Sequence, residues 1–406
     1  MTKILVAQER TENEIKKTLH PLVGEWFSSR FEKFSPTQKF GVMNIWERKN
    51  ILISAPTGGT KTLTAFLSII NYLVILAEKN ELEDRVYCVY ISPLKALSND
   101  IHKNLIEPLE EIYELAEKKG IKLQKVRVGL RTGDTTVSER AKMARKSPHI
   151  LVTTPESLAI MLTSKKFVDY MRAVEFCIVD EIHALDNKRG AYLSLTLERL
   201  NEVSNIFPVK IGLSATIAPL EEVAKFLIGI GEDREVFIAE VKLDKRIDVK
   251  VLSVGDLIAD ENYGTSMYNL IDKLIQEHKT TLIFTNTRSA TERVVNHLKE
   301  KFPTVYGDDN IAAHHSSLSK SHRFDIEERL RDGKLKVVVC STSLELGIDI
   351  GYIDLVIMLG SPKSSARALQ RLGRAGHKLH ETAKGRFIIL DRDDLVECSI
   401  IQKEMI

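Results

Sequence analysis

Short apolar segments alternate with helix-forming segments along almost the whole chain, and this alternation constrains the fold more than any other feature. It is typical of a parallel sheet covered by helices on both faces. The first series of predicted strands is Asn50–Ser54, Arg85–Ser92, Gln124–Leu130, Ile150–Thr153, Phe176–Val179 and Val209–Leu213. The second series is Thr281–Thr285, Ile311–His314, Lys336–Cys340, Leu355–Leu359 and Lys384–Leu390. We therefore predict an α/β protein with two mostly parallel sheets.

Between the two series, around Gly229–Lys245, glycine and charged residues replace the apolar periodicity. A chain of 406 residues with 43% hydrophobic and 28% charged content is long enough for two globular domains. We assign residues 1–235 to the first domain and residues 236–406 to the second. The sequence contains no evident low-complexity segment or short repeat.

A candidate phosphate-binding loop follows the first predicted strand. Its sequence is Ala55-Pro56-Thr57-Gly58-Gly59-Thr60-Lys61-Thr62, and a helical run begins at Leu63. Strand, turn and helix in this order let backbone N–H groups and a helix N-terminus face phosphates. The position before the lysine, where glycine is usual, is Thr60, whose branched side chain restricts the backbone. The alternative is a glycine-containing turn with an exposed lysine.

Two adjacent carboxylates end another predicted strand, in Asp180-Glu181-Ile182-His183. Ligands bind at the carboxyl edge of an open parallel sheet. An Asp that holds Mg²⁺ beside a Glu that accepts a proton from water suits nucleoside triphosphate hydrolysis. Taken alone, such a pair is more often a solvated loop end.

A third element lies far downstream in Gln370-Arg371-Leu372-Gly373-Arg374-Ala375-Gly376-His377. Neither arginine reaches a nucleotide held by Lys61 unless a second lobe folds over it. Together with the loop and the acidic pair, this segment resembles motifs I, II and VI of the superfamily 2 helicases.

The intervening blocks agree with that resemblance and occur in the family's order over almost the whole chain. They resemble motifs Ia, Ib, III, IV and V, in Ser92–Leu97, Thr153–Leu158, Ser214–Thr216, Phe284–Arg288 and Ser341–Asp349. Gly129–Thr135, Pro219–Ala224, Asp391–Glu397 and the ending of motif VI in His377 resemble the Lhr-like branch, near the Ski2-like and Hel308-like enzymes. The resemblance implies tandem RecA-like domains with an ATP cleft between them.

The resemblance also implies roles for individual residues, with ATP and Mg²⁺ as cofactors. Lys61 would neutralise phosphates, Thr62 and Asp180 would hold the metal, and Glu181 would act as general base. Arg374, with Arg371 as the second candidate, would stabilise the transferring phosphoryl group. Gln38 matches the adenine-reading glutamine of the family, since its amide both donates and accepts; the alternative is a helix-surface glutamine. The remaining predicted nucleotide contacts are Ala55, Pro56, Thr57, Gly58, Gly59, Thr60, Gly347 and Asp349.

The strand-binding face is expected to be assembled from the Ia, Ib, IV and V blocks, whose hydroxyl and amide groups would bind a nucleic-acid backbone without reading bases. The predicted contacts are Arg131, Thr132, Thr154, Thr285, Asn286, Arg288, Ser341 and Thr342. The pair His314-His315 invites a metal site, but no further ligand lies nearby in sequence, and we predict a polar loop facing the strand.

Net charge is only +2, which by itself would not indicate a nucleic-acid partner, although a cleft can be locally basic. Four isolated cysteines show no metal-binding spacing and indicate a reduced protein. The longest apolar stretch, Phe66 to Ala77, is too short and polar to span a bilayer, and no secretory signal is visible. We expect a cytoplasmic monomer that binds nucleic acid and no membrane.

The resemblance favours a translocase that moves 3′ to 5′ on single-stranded DNA, with DNA repair as its setting. An RNA helicase is the alternative within the same fold. An alternative of another functional class is a nucleotide-gated nucleic-acid clamp with very weak turnover. Thr60 favours it, because strain on the order of 1–3 kcal/mol there would weaken ATP binding roughly fivefold to a hundredfold or more. The C-terminal winged helix and the strand-separating hairpin of relatives are expected to be missing, so efficient unwinding is not expected.

Overall fold

The computed structural model describes residues 2–56, 60–93, 98–185, 188–215, 219–229, 231, 234–241, 246–254, 263–345, 351–376 and 382–405. The chain divides into two compact units, Met1–Lys242 and Leu243–Ile406. Each unit contains one parallel sheet, as the alternating pattern predicted.

The sheet of the first unit has eight strands, and every pairing within it is parallel. Their bounds are β1 (Lys3–Val6), β2 (Ile51–Ser54), β3 (Cys88–Ile91), β4 (Val128–Arg131), β5 (Ile150–Thr153), β6 (Phe176–Val179), β7 (Val209–Ser214) and β8 (Glu235–Glu240). The spatial order is β1-β8-β2-β7-β6-β3-β5-β4. The strands predicted from Arg85 and Gln124 therefore begin later than expected, at Cys88 and Val128.

Helices cover both faces of this sheet. They are α1 (Glu12–Thr18), α2 (Pro21–Arg30), α3 (Pro36–Trp46), α4 (Lys61–Glu78), α5 (Ser98–Ile101), α6 (Glu107–Lys118), α7 (Val137–Arg145), α8 (Pro155–Met161), α9 (Lys165–Met171), α10 (Lys188–Val203) and α11 (Leu220–Ile228). A π-helical turn at His102–Ile106 leads into α6, and a 3₁₀ turn spans Ile182–Ala184. Alternate side chains of the buried strands enter opposite layers: Ile51 and Ile53 pack with α4, whereas Leu52 packs with α11.

Helix α4 is long and apolar enough to cross a membrane by length and composition alone. However, 72% of it is buried inside the first unit, where it packs against α3 and β7. Buried core helices of globular proteins have the same composition.

The second unit has a six-stranded parallel sheet in the order β11-β12-β10-β13-β14-β9. The strands are β9 (Ile247–Leu252), β10 (Thr281–Phe284), β11 (Ile311–His314), β12 (Val337–Cys340), β13 (Leu355–Leu359) and β14 (Ala383–Ile388). The helices are α12 (Tyr263–Gln276), α13 (Arg288–Lys301), α14 (Lys320–Arg331), α15 (Ser365–Leu372) and α16 (Arg392–Met405). Two apolar layers lie on the two faces of this sheet as well.

The division between the units lies later than the predicted boundary at residue 235. Strand β8 begins at Glu235 and pairs with both β1 and β2, so it belongs to the first sheet. The first unit accordingly extends to Lys242. Charged residues at both ends of β8 concealed its apolar centre, which is why the sequence indicated a linker there.

Candidate functional site

Lys61 at the end of the predicted phosphate loop contacts Ala55 and Pro56 at its start. Thr60 adopts a left-handed conformation (φ 55°, ψ 23°) and caps α4 through its carbonyl, which accepts from the Thr64 N–H at 2.9 Å. The Lys61 ammonium donates to the carbonyls of Ala55 and Pro56 at 2.8 and 3.0 Å. Thr62, half-buried, follows in the first turn of the helix. The predicted contacts Thr57, Gly58 and Gly59 lie outside the described residues.

Neighbouring parallel strands bring the loop, the acidic pair and motif III to one edge of the first sheet. Ser54 at the end of β2 is in register with Ser214 at the end of β7, and the Ala55 N–H donates to the Ser214 carbonyl at 3.1 Å. Strand β7 also pairs with β6, which ends immediately before Asp180. Because all three strands point the same way, the residues that follow them lie at the carboxyl edge, where ligands bind in such sheets.

Asp180 is a buried carboxylate, 6% exposed, with two hydrogen-bond donors. The Tyr90 hydroxyl donates to Oδ2, and the Glu181 N–H donates to Oδ1 at 2.8 Å. Burial, and secondly the charge of Glu181, raise the pKa of Asp180 to about 7, while nearby Lys61 acts in the opposite direction. A cation placed here would relieve both causes of that pKa shift.

Glu181 is held by the turn that follows β6. Its backbone is left-handed (φ 48°), and its Oε2 lies 3.1 Å from His183 Nε2. The other ring nitrogen of His183 accepts from the Ala215 N–H at 3.0 Å. His183 therefore joins the acidic pair to the end of motif III; Thr216 itself lies outside the described residues.

Gln38 lies in the first turn of α3 and is 2% exposed, so the alternative of a helix-surface glutamine is wrong. Its Oε1 accepts from the Ser35 N–H at 2.8 Å, and its own N–H donates to Ser35 Oγ at 3.3 Å. This reciprocal arrangement is a capping box. It fixes the orientation of the Gln38 side chain at the start of the helix.

In the second unit, both motif VI arginines contact Glu345. Arg371, 1% exposed, has Nε 3.5 Å from Glu345 Oε1 and its guanidinium 5.1 Å from the centroid of the Phe284 ring. Arg374, 7% exposed, donates from Nη2 to the Glu345 carbonyl at 3.2 Å. Burial raises the pKa of Glu345 and lowers the pKa of Arg371. His377, Gly347 and Asp349 lie outside the described residues.

The predicted nucleic-acid contacts of the first unit are brought together where β4 and β5 end. Arg131 is in register with Thr153, whose hydroxyl donates to the Arg131 carbonyl at 2.7 Å. Thr132 is buried and its Oγ1 accepts from the Asp134 N–H at 3.3 Å, whereas Thr154 caps α8 through Ser157. Burial lowers the pKa of Arg131. The motif Ia residues 94–97 lie outside the described residues.

The contacts predicted in the second unit follow the adjacent strands β10 and β12, and they differ in accessibility. Asn286, Arg288 and Thr342 are exposed, and Asn286 Nδ2 donates to the Ser361 carbonyl at 3.0 Å. Ser341 is buried at 8% exposed.

Thr285, in contrast, is fully buried, and its Oγ1 lies 2.8 Å from Thr291 Oγ1 and 3.0 Å from the Thr287 carbonyl. The structure therefore corrects the prediction that Thr285 faces a strand: its hydroxyl orders the turn into α13 instead.

His314 and His315 are buried and paired with protein groups. His314 has ring nitrogens 2.7 Å from Ser343 Oγ and 3.1 Å from Glu327 Oε1, and His315 Nε2 lies 2.7 Å from Glu292 Oε1. The described residues contain no group of three or more His, Cys, Asp or Glu side chains suited to a metal ion. The expectation of a polar loop facing a strand is wrong for His314, which is 1% exposed.

Sequence reasoning missed three residues that hold the site. Tyr90 lies inside an apolar strand and was read only as part of that strand, although a tyrosine hydroxyl in a core needs an acceptor. Ser35 precedes Pro36 with Gln38 three positions later, and this N-cap pattern was readable. Glu345, inside the motif V block, gave no signal of its own.

Comparison with known proteins agrees with this geometry. The family model described as DEAD/DEAH box helicase matches residues 35–225, and the helicase conserved C-terminal domain matches residues 266–378. The ATP-dependent helicase Lhr-Core of Methanothermobacter thermautotrophicus is 55% identical over 98% of this chain and 47% of its own length. The Lhr helicase/uracil glycosylase of Escherichia coli is 36% identical over 94% of this chain and 28% of its own length. The chain thus spans about half the length, or less, of the curated relatives it matches.

Among solved structures, Mycobacterium smegmatis helicase Lhr bound to ssDNA and AMP-PNP superimposes with a TM-score of 0.84 at 38% identity, covering 95% of this chain and 50% of that one. Mss116p bound to ssRNA and AMP-PNP superimposes with a TM-score of 0.79 at 19% identity, covering 99% of this chain and 80% of that one, and shares the fold. The helicase motifs, the parallel sheets and these relatives agree: the chain is built from tandem RecA-like domains and belongs to the Lhr branch of the superfamily 2 helicases.

Proposed function

We propose that this chain hydrolyses ATP to move along a single nucleic-acid strand, with DNA favoured over RNA and 3′-to-5′ direction. The observation that carries the proposal is the meeting of Lys61, Asp180 and Glu181 at the carboxyl edge of the first sheet. Relatives named ATP-dependent helicase support the reaction, and a neighbour bound to ssDNA supports the substrate. Participation in DNA repair is part of the same proposal.

The residues fit a Mg²⁺ ion bound together with ATP. Asp180 supplies a buried carboxylate whose pKa is raised to about 7 by burial and by Glu181, and Thr62 supplies a hydroxyl. Mg²⁺ in such sites is held by one or two protein oxygens, with phosphate oxygens and waters completing its shell, so a larger cluster of acidic residues is not needed. When bound, the ion would neutralise charge on the phosphates.

Glu181 is the proposed general base. Water attacks the γ-phosphorus, the bond from that phosphorus to the β–γ bridging oxygen breaks, and the water proton passes to the Glu181 carboxylate. His183 Nε2 lies 3.1 Å from Glu181 Oε2, and the other ring nitrogen accepts from the Ala215 N–H, so the imidazole is oriented toward the carboxylate. Lys61, released from the carbonyls of Ala55 and Pro56, would pair with the phosphates.

In the second unit we propose Arg374 as the residue that stabilises charge on the transferring phosphoryl group. Its Nη2 donates to the Glu345 backbone carbonyl at 3.2 Å, a contact that nucleotide oxygens can replace. Arg371 has a different environment, since it is buried between Glu345 and the Phe284 ring. We therefore assign Arg371 to holding the motif V and VI segments together.

The proposed strand contacts are now Arg131, Thr132 and Thr154 in the first unit, and Asn286, Arg288, Ser341 and Thr342 in the second. These groups follow parallel strands at their carboxyl ends. They donate to phosphates and carry no pattern that distinguishes one base from another, which supports movement independent of sequence.

The test is ATP turnover with no nucleic acid, with single-stranded DNA, and with RNA of the same sequence. We expect DNA to stimulate turnover several-fold more than RNA, and Lys61→Ala to abolish both basal and stimulated turnover. Greater stimulation by RNA would establish the RNA helicase alternative. Direction is tested by displacement of streptavidin from biotin at either end of the strand, and displacement from the 3′ end alone would contradict the proposed direction.

A second candidate is a nucleotide-gated clamp with very slow turnover, favoured by the left-handed backbone of Thr60. In that case ATP would change the affinity for the strand while turnover stayed at background with either DNA or RNA. The presence of Lys61, Asp180, Glu181 and Arg374 together favours the enzyme.

A further inference from the structure

Three hydroxyl groups form a closed triangle between the phosphate loop and the segment that begins α3. Thr60 Oγ1 lies 2.6 Å from Ser35 Oγ and 2.9 Å from Thr37 Oγ1, and Ser35 Oγ lies 2.9 Å from Thr37 Oγ1. Thr37 is 1% exposed, and Ser35 and Thr60 are half-buried. The triangle depends on Thr60, because the glycine that usually precedes the lysine has no hydroxyl.

The triangle is continuous with Gln38. Ser35 Oγ also accepts from the Gln38 N–H, and the Ser35 N–H donates to Gln38 Oε1. A chain of direct hydrogen bonds therefore runs from the residue next to Lys61, through Ser35, to the side chain proposed to read adenine. Hydrogen bonds in such a chain polarise and orient one another.

The hydroxyl contacts of Thr60 form while its backbone is in an unfavourable conformation. A threonine at φ 55° lies in a region that a β-branched side chain rarely adopts. In that conformation its side chain points at Ser35 and Thr37, and its carbonyl still accepts from Thr64. The unfavourable conformation and the hydroxyl triangle therefore occur together at one residue.

We propose that Thr60 is a positioning residue that couples the adenine-reading segment to the phosphate loop, so that preference for ATP over GTP depends on its hydroxyl. This inference rests on the proposed function, and in particular on Gln38 as the adenine reader. It replaces the simpler expectation that Thr60 only weakens ATP binding.

Helix α3 packs closely against α4 and β2 next to the hydroxyl triangle. A Cβ at Gly41 of α3 would lie 2.4 Å from Thr64 Cγ2 of α4 and 2.7 Å from Ile53 Cδ1 of β2. The two helices and the strand that carries the loop are thus in direct contact beside the triangle. Packing therefore resists movement of Ser35 and Gln38 relative to Lys61. The hydroxyl triangle then determines the orientation of their polar groups.

A second hydroxyl bond between the same helices provides a matched control. Ser68 Oγ of α4 donates to the Val42 carbonyl of α3 at 2.8 Å, and both residues are buried. It lies two turns along α4 from the loop. If hydroxyl bonds between α3 and α4 act only through general stability, loss of either should have the same effect on nucleotide binding.

The experiment measures dissociation constants for ATP, GTP and inorganic tripolyphosphate by calorimetry. The proteins are the parent, Thr60→Val, Thr60→Ser, Thr37→Val, Ser68→Ala and Gln38→Ala. Valine keeps the branched shape and the strained backbone but removes the hydroxyl, whereas serine keeps the hydroxyl. Tripolyphosphate reports the phosphate loop without a base.

We expect Thr60→Val to lower the ATP-to-GTP affinity ratio about threefold to tenfold, the effect of one lost hydrogen bond. Thr37→Val should lower it in the same direction. Thr60→Ser and Ser68→Ala should keep the parental ratio, and tripolyphosphate affinity should be unchanged in Thr60→Val. This pattern would separate positioning from strain.

An unchanged ratio in Thr60→Val, with loss of the ratio in Gln38→Ala, would overturn the coupling and leave the adenine reader in place. A parent protein that does not prefer ATP over GTP would overturn both. An equal loss in Ser68→Ala would show that the effect is general stability and would also overturn the coupling.

Discussion

The two edges of the first sheet each carry a buried carboxylate next to an end of strand β6, but the two carboxylates have different surroundings. At the amino edge, Glu175 precedes β6 and is held from three directions: Arg48 Nη2 at 2.7 Å, Arg85 Nη2 at 2.9 Å and the Tyr72 hydroxyl at 3.1 Å. At the carboxyl edge of the same strand, Asp180 is buried beside a second carboxylate. The same four-residue strand thus separates a neutralised carboxylate from one whose pKa is raised to about 7.

Aromatic rings complete the amino edge. The Arg48 guanidinium lies 4.1 Å from the centroid of the Phe176 ring and 4.5 Å from that of Tyr72, and Arg85 lies 3.8 Å from that of Tyr87. Such stacking adds a cation–π attraction to the ion pairs that hold these two arginines. Charge alone therefore does not mark a site. At the carboxyl edge Asp180 is buried beside a second carboxylate, and among the described residues the ion pairs and hydrogen bonds given above for the two carboxylates involve no arginine, a condition that perturbs pKa values at functional sites.

The largest expected difference between the edges is in catalysis. Glu181→Gln keeps the shape of the side chain but cannot accept the water proton, so turnover should fall roughly 10²–10⁴-fold while ATP and strand affinity stay near parental. Single-turnover hydrolysis and equilibrium binding measure the two effects. Parental hydrolysis by this variant would remove Glu181 from the base role.

The comparison extends to the second unit through the motif VI arginines. Arg374→Ala should lower kcat about 10²–10³-fold with a much smaller change in ATP affinity, because the lost charge acts on the transition state. Arg371→Ala should instead lower the unfolding temperature as well as activity, since it leaves Glu345 buried without its ion pair. An unchanged kcat for Arg374→Ala would contradict its role.

At the amino edge the same amide substitution should act on stability. Glu175→Gln removes the charge between Arg48 and Arg85, and because those partners are partly exposed we expect a loss of about 2–3 kcal/mol of unfolding free energy. Turnover per folded molecule should stay parental. Denaturant unfolding together with active-site titration measures this, and Glu181→Gln is the control that should not unfold earlier.

Tyr87 and Tyr90 lie in the same apolar segment, Tyr87 at the amino edge of the sheet and Tyr90 toward the carboxyl edge, so their substitutions compare the two edges directly. Tyr90→Phe removes the donor to Asp180 but keeps the ring stacked on Phe66 at 5.2 Å, so the Mg²⁺ concentration for half-maximal turnover should rise about tenfold. Mn²⁺ binding followed by electron paramagnetic resonance gives a second readout. Tyr87→Phe, which loses the bond from the Glu83 N–H at the amino edge, should leave metal affinity unchanged. Equal metal affinity in both variants would show that the Tyr90 hydroxyl does not position Asp180.

A pH dependence of stability is also expected at the amino edge. Burial, and secondly Arg127, lower the pKa of His149 from 6.5 to about 4. The unfolded chain therefore binds one more proton between these values, and the unfolding free energy should decrease as pH falls from about 6.5 to about 4, by at most about 1.4 kcal/mol per pH unit. His149→Gln should remove this component of the slope. The same slope in the variant would assign it to other groups.

Much of the fold was predictable, because a buried parallel strand is a short apolar run wherever it occurs. Every predicted strand overlaps an observed strand. Strands β1, β8 and β9 were missed. Lys3–Val6 and Ile247–Leu252 are edge strands, and Glu235–Glu240 is charged at both ends. Their identity as strands comes from pairing with distant strands, β1 with β8, β8 also with β2, and β9 with β14, and local sequence does not encode that pairing.

The candidate catalytic residues could be predicted from the sequence, whereas the residues that hold them in place could not. Residue types indicated Lys61, Asp180 and Glu181, but nothing in the sequence placed the Tyr90 hydroxyl on Asp180 or Glu345 between two arginines. Thr285 was predicted to contact nucleic acid because its segment resembles motif IV. Its position immediately after a central strand buries it instead. Contacts across strands depend on strand order, which motif spacing does not specify.

The strand order also determines when the proposed ATP site can form during synthesis. Strand β2, which leads into the phosphate loop, pairs with β7 and β8, and about 160 residues separate the end of β2 from the end of β7. A ribosome adding roughly 5–20 residues per second needs on the order of 8–30 s to make that interval. Until then the apolar segment Ile51–Ser54 has no strand neighbour among those described. The predicted phosphate loop is thus synthesised well before the strands that flank β2, so a nucleotide bound there would stabilise the finished unit and not its early folding intermediates.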